Sequence, residues 1–280
     1  MAERIDAHHH LWRYSKEEYD WIGPGMEVIA CDFLPVNLQA ELAACGIGSS
    51  VAVQARQTLA ETDWLLELAE SSALVRGVVG WAPIADERFP AILEKLRTNK
   101  KLKGLRHIIQ AEPDDEFILR KDFNVGIKAL CGSGLVYDIL IYERHLPAAI
   151  KFVDRHPNQV LVLDHLAKPR IKEEVLEPWR TNLFELAKRE NVYGKLSGMV
   201  TEADWTQWNV SDLRPYVDAA LEAFSPARLM FGSDWPVCLL ASNYRMWYQT
   251  AQDLLGELSA SEKELVFGGV ANRIYSLEAI

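Results

Sequence analysis

Eight short runs rich in β-branched residues recur along this chain, each followed by a longer stretch with apolar residues at helical spacing. The strand candidates are RIDAHH (4–9), SSVAVQA (49–55), VRGVVGWA (75–82), GLRHII (104–109), LVYDILI (135–141), QVLVLDH (159–165), VYGKLSG (192–198) and RLMFGSD (228–234). Helical patterns fill 35–46, 60–73, 86–99, 122–132, 146–156, 174–190, 212–224 and 244–257. Strands joined through helices pair in parallel. Eight such units, at about 35 residues each, predict an α/β fold of the (β/α)8 TIM-barrel type rather than a doubly wound sheet, which needs fewer strands for this length. No glycine-rich dinucleotide fingerprint follows the first strand. No low-complexity linker, repeat or charge block interrupts the alternation, so residues 1–280 read as one domain.

Charge excludes some partners. The 30 basic residues against 40 acidic ones give a net charge of -10, which repels nucleic acid and anionic membrane surfaces. Cys31, Cys45, Cys131 and Cys238 are widely spaced, with no CxxC pair, and read as reduced thiols. With neither a signal-peptide pattern nor an apolar run of ~18 residues, the expectation is a soluble, cytoplasmic protein.

In a parallel barrel the strand interiors are apolar, so polar residues at strand ends point to the C-terminal mouth, where barrel chemistry is built. The first strand runs into IDAHHHLW (5–12), three of the chain's seven histidines in a row. With period two, Asp6, His8 and His10 share one face and Ala7 and His9 the other, so the triplet acts as an HxH. Two imidazoles at alternate positions converge on a point in front of the strand, where they present a metal or an oxyanion with two nitrogens. Strand six ends at His165 and strand eight at Asp234. A single histidine or aspartate at a strand end is ordinarily a cap or a turn residue; four converging on one mouth point to catalysis. Arg106 and His107 have opposite parity, so only one faces inward. The longest insertion, 11–34, is an aromatic-rich loop at the same end.

The ordered set IDAHHHLW, YDWI, DFLP, VAVQA, GVVGWAPI, GLRHIIQAEPD, LDHLAKP, KLSGMVTEA and FGSDWPV resembles the amidohydrolase superfamily across nearly the whole chain. Within it the sequence is most similar to the sugar-lactonase branch of L-fuconolactonases and L-rhamnonolactonases. The resemblance implies an amidohydrolase barrel over 1–280 and a carboxylic ester hydrolase acting on a small sugar lactone. His8 and His10 match the first-strand HxH, His165 the sixth-strand histidine and Asp234 the eighth-strand aspartate. The binuclear members' bridging lysine or glutamate on strand four and histidine on strand five have no counterpart in GLRHII or LVYDILI. One divalent ion, zinc, held by His8, His10, His165 and Asp234, and catalysis without metal are both compatible with the branch.

Opening a lactone requires an activated water and stabilisation of charge on the carbonyl oxygen. Asp234 is the expected general base and His8, His10 and His165 the polarising groups. Trp12, Trp21, Gln54, Arg106, Tyr137 and Lys195 are the expected substrate-binding residues, with Trp81 and Trp235 serving either a sugar face or barrel packing. One guanidinium at the strand ends suits a neutral lactone better than a dicarboxylate. The alternatives are a metal-dependent decarboxylase or hydratase of the same superfamily acting on a small carboxylic acid, and a non-catalytic binding barrel, which has no use for a water-activating carboxylate.

Overall fold

The computed structural model describes residues 3–277. Eight strands, β1 (Ile5–His9), β2 (Ser49–Val53), β3 (Val75–Gly80), β4 (Leu102–Ile108), β5 (Val136–Leu140), β6 (Leu161–Leu163), β7 (Val192–Leu196) and β8 (Leu229–Phe231), form one parallel sheet in sequential order. The helices α1 (Pro35–Cys45), α2 (Leu59–Ser71), α3 (Phe89–Leu96), α4 (Lys121–Leu130), α5 (Leu146–Arg155), α6 (Trp179–Ala187), α7 (Val210–Phe224) and α8 (Tyr244–Leu254) follow the strands in turn. Past β8 the chain closes the sheet onto β1: Asp234 N donates to His8 O at 2.8 Å and His10 N to Trp235 O at 2.6 Å. The molecule is a (β/α)8 barrel, as the alternation predicts.

Strand alternation separates two cores. Ile5, Ala7, Val51, Val53, Val79, Val136, Val162 and Met230 fill the barrel. Residues of the other parity, such as Ala52, Val78, Leu105, Ile139, Leu163 and Phe231, pack against the helices. Two short helices, α9 (Ala260–Glu264) and α10 (Val270–Ile274), end the chain. Val270, Ala271, Tyr275 and Leu277 join the interior core, and Lys103 Nζ donates to Ser276 O at 3.0 Å near the start of β4. This segment stoppers the N-terminal end and leaves the C-terminal mouth as the open one.

Helix α6 begins at Trp179 rather than 174. Pro178 disfavours a helical residue before it, and the helix starts directly after it. The insertion after β1 is pinched at its base by paired hydrogen bonds between Trp12 and Phe33, both at 2.9 Å. Among the described residues, no helix is long and apolar enough to cross a membrane.

Helix α4 lies so close to the loop after β3 that a Cβ on Gly126 would fall 1.9 Å from Ile84 O. Gly126→Ala is therefore expected to cost about 2–3 kcal/mol through forced separation of the two segments. A urea midpoint lowered at unchanged slope would show it; an unchanged midpoint would mean the contact relaxes freely.

Candidate active site

The first strand departs from simple alternation. Its register against β2 shifts between Asp6 and His9, and the bulge puts Ala7 and His8 on the same, inner side. Asp6 turns outward, where it accepts from Ser233 N at 2.8 Å, His8 N at 3.1 Å and Tyr244 OH at 2.9 Å. The expectation that Asp6 shares a face with His8 and His10 is thus corrected, because one extra residue in the strand inverts the parity. His9 points away from the mouth and pairs with Ser50 Oγ at 2.9 Å.

His8, His10, His165 and Asp234 meet at the bottom of the mouth. His8 Nε2 and His10 Nε2 are 3.3 Å apart. Asp234 Oδ1 lies 3.6 Å from His8 Nε2, 3.4 Å from His10 Nε2 and 3.9 Å from His165 Nε2. Each ring has its other nitrogen engaged. His10 Nδ1 donates to Val53 O at 2.8 Å, and His165 Nδ1 meets Ser197 Oγ at 2.8 Å. His8 Nδ1 sits 3.3 Å from Asp164 Oδ1 and 3.2 Å from Lys195 Nζ. The bond to Val53 places a proton on His10 Nδ1 and turns its Nε2 toward Asp234.

Small residues and unusual backbone make this convergence possible. A Cβ on Gly198 would lie 2.6 Å from His165 Nδ1, and one on Gly232 would lie 2.6 Å from the Cβ of His8. His165, Leu166, Ala167 and Lys168 all have positive φ, from 50° to 61°, and Asp234 has φ 54°. Left-handed backbone costs such residues about 1 kcal/mol or more each, and strain of this kind gathers at functional sites.

Burial drives His8 well below its ordinary pKa, with Asp164 opposing, and lowers His165 to about 4. Both rings are therefore neutral near pH 7. Burial pushes the Asp234 carboxyl up, but His165, His10 and His8 more than offset this and hold it below the usual carboxylate range. Neutral imidazoles around an ionised carboxylate are the donor set a divalent cation takes. Among the described residues, His8, His10 and Asp234 form one group able to hold a metal, and His8, Asp164 and His165 another. The second group is already neutralised, since Asp164 faces Arg106 Nη1 at 2.9 Å and Lys195 Nζ at 3.1 Å.

Beneath the cluster lies a buried ionic layer. Lys195 Nζ donates to Asp138 Oδ2 at 2.5 Å, and Tyr275 OH reaches both oxygens of Asp138 at 2.9 Å. Arg106 also donates through Nη2 to the backbone oxygen of Gln54. Four of the expected substrate-binding residues belong to this layer or to the packing around it. Lys195 is fully buried, held by Asp138 and Asp164. Gln54 is fully buried, and its Nε2 donates to Arg106 O at 3.2 Å. Tyr137 faces the helices between Phe123 and Phe152. Trp12 is buried at the pinched base of the insertion, its Nε1 donating to Cys31 O at 2.9 Å. None of the four borders the open cavity.

That cavity, about 850 Å³, is bordered by His10, Arg106, His165 and Asp234, with Trp21 and Trp205 exposed in its wall. Arg106 is the inward residue of its pair, while His107 stacks on Phe117 at 5.0 Å. Trp81 donates to His107 Nδ1 at 3.3 Å, and Trp235 packs edge-on against Phe33, so both serve packing. Sequence reasoning missed Asp138 and Asp164 below the site and Arg56, Gln110, Lys168 and Glu202 around it. The available signals were Asp138 two residues after the inward Val136, and Asp164 directly before His165.

The amidohydrolase family profile matches residues 5–277. This chain belongs to the amidohydrolase family. It is 45% identical over 295 residues to an L-fucono-1,5-lactonase of Burkholderia multivorans, covering 99% of this chain and 97% of that one. An L-fucono-1,5-lactonase of Burkholderia ambifaria is 35% identical over 282 residues, with 99% and 97% covered. The crystal structure of a Burkholderia multivorans amidohydrolase with bound zinc superposes with a TM-score of 0.96 at 44% identity, covering 99% of this chain and 100% of that one.

In this amidohydrolase, Lys195→Met would leave two carboxylates facing each other without their shared cation. Removing one partner from a buried pair costs about 3–5 kcal/mol. A chemical-denaturation midpoint close to that of the wild type would show that the ionic layer is not a stability element.

Proposed function

We propose that this chain hydrolyses a neutral sugar-acid lactone of the L-fucono- or L-rhamnono-lactone class to its aldonic acid. The observation that carries this reading is a water-activating carboxylate among three imidazoles at the floor of a cavity whose wall suits an uncharged substrate. That wall holds five carboxylates against three cations. Each cation is paired: Arg56 with Glu18 at 2.9 Å, Arg106 with Asp164 at 2.9 Å and Lys168 with Glu202 at 3.7 Å. Such a wall disfavours an aromatic acid or a dicarboxylate, which would call for unpaired guanidinium forks. The decarboxylase alternative loses its support here.

Asp234 is the general base. It takes a proton from the water as the oxygen adds to the lactone carbonyl carbon. The negative charge that develops on the former carbonyl oxygen is met by the positive field of the Arg106 guanidinium, which borders the cavity. When the tetrahedral carbon collapses, the ring C–O bond breaks, and Asp234 returns the proton to the departing alkoxide. The free carboxylic acid then ionises. His8, His10, His165 and Asp234 would also hold a divalent ion such as zinc. Such an ion, when bound, supplies a Lewis acid that polarises the carbonyl and the attacking water. The ring faces left by Trp21 and Trp205 suit the apolar side of a sugar.

Acid release from L-fucono-1,5-lactone or L-rhamnono-lactone, followed with a pH indicator, is the expected activity. It should fall on chelation and return with zinc. Turnover that persists after verified metal removal would assign the histidines as hydrogen-bonding groups, and silence across a lactone panel would sink the reading. Asp234→Asn is expected to lower turnover by ~10²-fold or more with the fold intact; near-normal turnover would remove Asp234 from the role of base.

A further inference from the structure

We propose that Lys168 and Glu202, assisted by Gln110, recognise the substrate's hydroxyl groups and set which lactone is accepted, an inference that rests on the lactonase reading above. The three residues come from the loops after β6, β7 and β4 and border the same cavity as Asp234 and His165. Lys168 ends the left-handed turn that begins at His165, and its backbone N–H donates to His165 O at 2.8 Å. One turn therefore delivers a member of the reactive cluster and the ammonium beside it. Glu202 is tied to the same loop through its backbone oxygen, which accepts from Lys172 N at 2.9 Å.

The two charges balance each other without a direct hydrogen bond, so both groups keep hydrogen-bonding capacity for a ligand. Lys168 Nζ and Glu202 Oε1 are 3.7 Å apart, beyond hydrogen-bond distance. Both side chains are only about one-fifth exposed, 18% and 22%. The ammonium also lies 5.5 Å over the Tyr142 ring. An ammonium has three protons to donate and a carboxylate several lone pairs to offer. At this spacing the two can take adjacent hydroxyls of a sugar, one as acceptor and the other as donor. Gln110 Oε1 is a buried acceptor with no hydrogen-bond partner among the described residues, and a turn of its amide toward the cavity it borders would let a substrate hydroxyl satisfy it. The pair carries no net charge, which agrees with a neutral polyol. A site that pairs its buried polar groups only through substrate hydroxyls rejects analogues that lack them.

The test compares Lys168→Met and Glu202→Gln with the wild type on L-fucono-1,5-lactone and on unsubstituted δ-valerolactone. Where δ-valerolactone turns over too slowly, its competitive inhibition constant supplies the comparison. Each variant is expected to lose ~10- to 100-fold in kcat/KM on the hydroxylated lactone, mostly through KM. That loss should exceed any loss on the unsubstituted lactone by at least tenfold, with thermal melting near that of the wild type. Equal losses on both lactones, or no loss on either, would overturn the assignment. A wild-type enzyme inactive on every lactone would instead remove the functional reading before any variant is compared.

Discussion

The site depends on the seam at which the chain beyond β8 returns to β1. Asp234 N on His8 O and His10 N on Trp235 O are backbone hydrogen bonds that close the barrel, and they also place the β8 carboxylate against the β1 imidazoles. Asp6 strengthens the seam from outside by accepting from Ser233 N, His8 N and Tyr244 OH. Fold closure and site assembly are one event here. Groups from the two ends of the sequence reach reacting distance only when the eighth strand finds the first.

Beneath the seam, the interior changes from apolar to ionic within one layer of side chains. Val53, Val136 and Val162 fill the barrel, and Arg106, Asp138, Asp164 and Lys195 stand above them. A buried charge is tolerable only with a partner at hydrogen-bond distance, and two acids against two bases meet that demand. The arrangement orients His8 from behind, through Asp164 and Lys195 at its Nδ1. The left-handed turn at His165–Lys168 and the close approaches at Gly198 and Gly232 add local strain and tight packing around the same histidines. Stability in the surrounding (β/α) units offsets them, as is usual for functional sites on rigid scaffolds.

Much of the barrel was legible from periodicity, because strand and helix patterns are local properties of the chain. His8, His10, His165 and Asp234 stood out as polar residues ending apolar strands. Reasoning failed where a contact is decided by a distant element. Parity placed Asp6 with His8, but a bulge between Asp6 and His9 reversed it. Tyr137 looked like a hydroxyl reader, yet β5 turns it toward Phe123 and Phe152 and directs Asp138 inward. Lys195 points inward, but two carboxylates claim it before any substrate can.

The sequence by itself determined eight βα units in order, their apolar interiors and the polar residues at their C-terminal ends, since each rests on spacing along one segment. Only the tertiary structure decided which polar groups face the open cavity and which neutralise one another below it. The reason is that a side chain's partner is chosen by barrel curvature, register shifts and closure. Those place Asp164 between Arg106 and Lys195, and Glu202 beside Lys168, whereas a segment's own pattern carries no record of its neighbours.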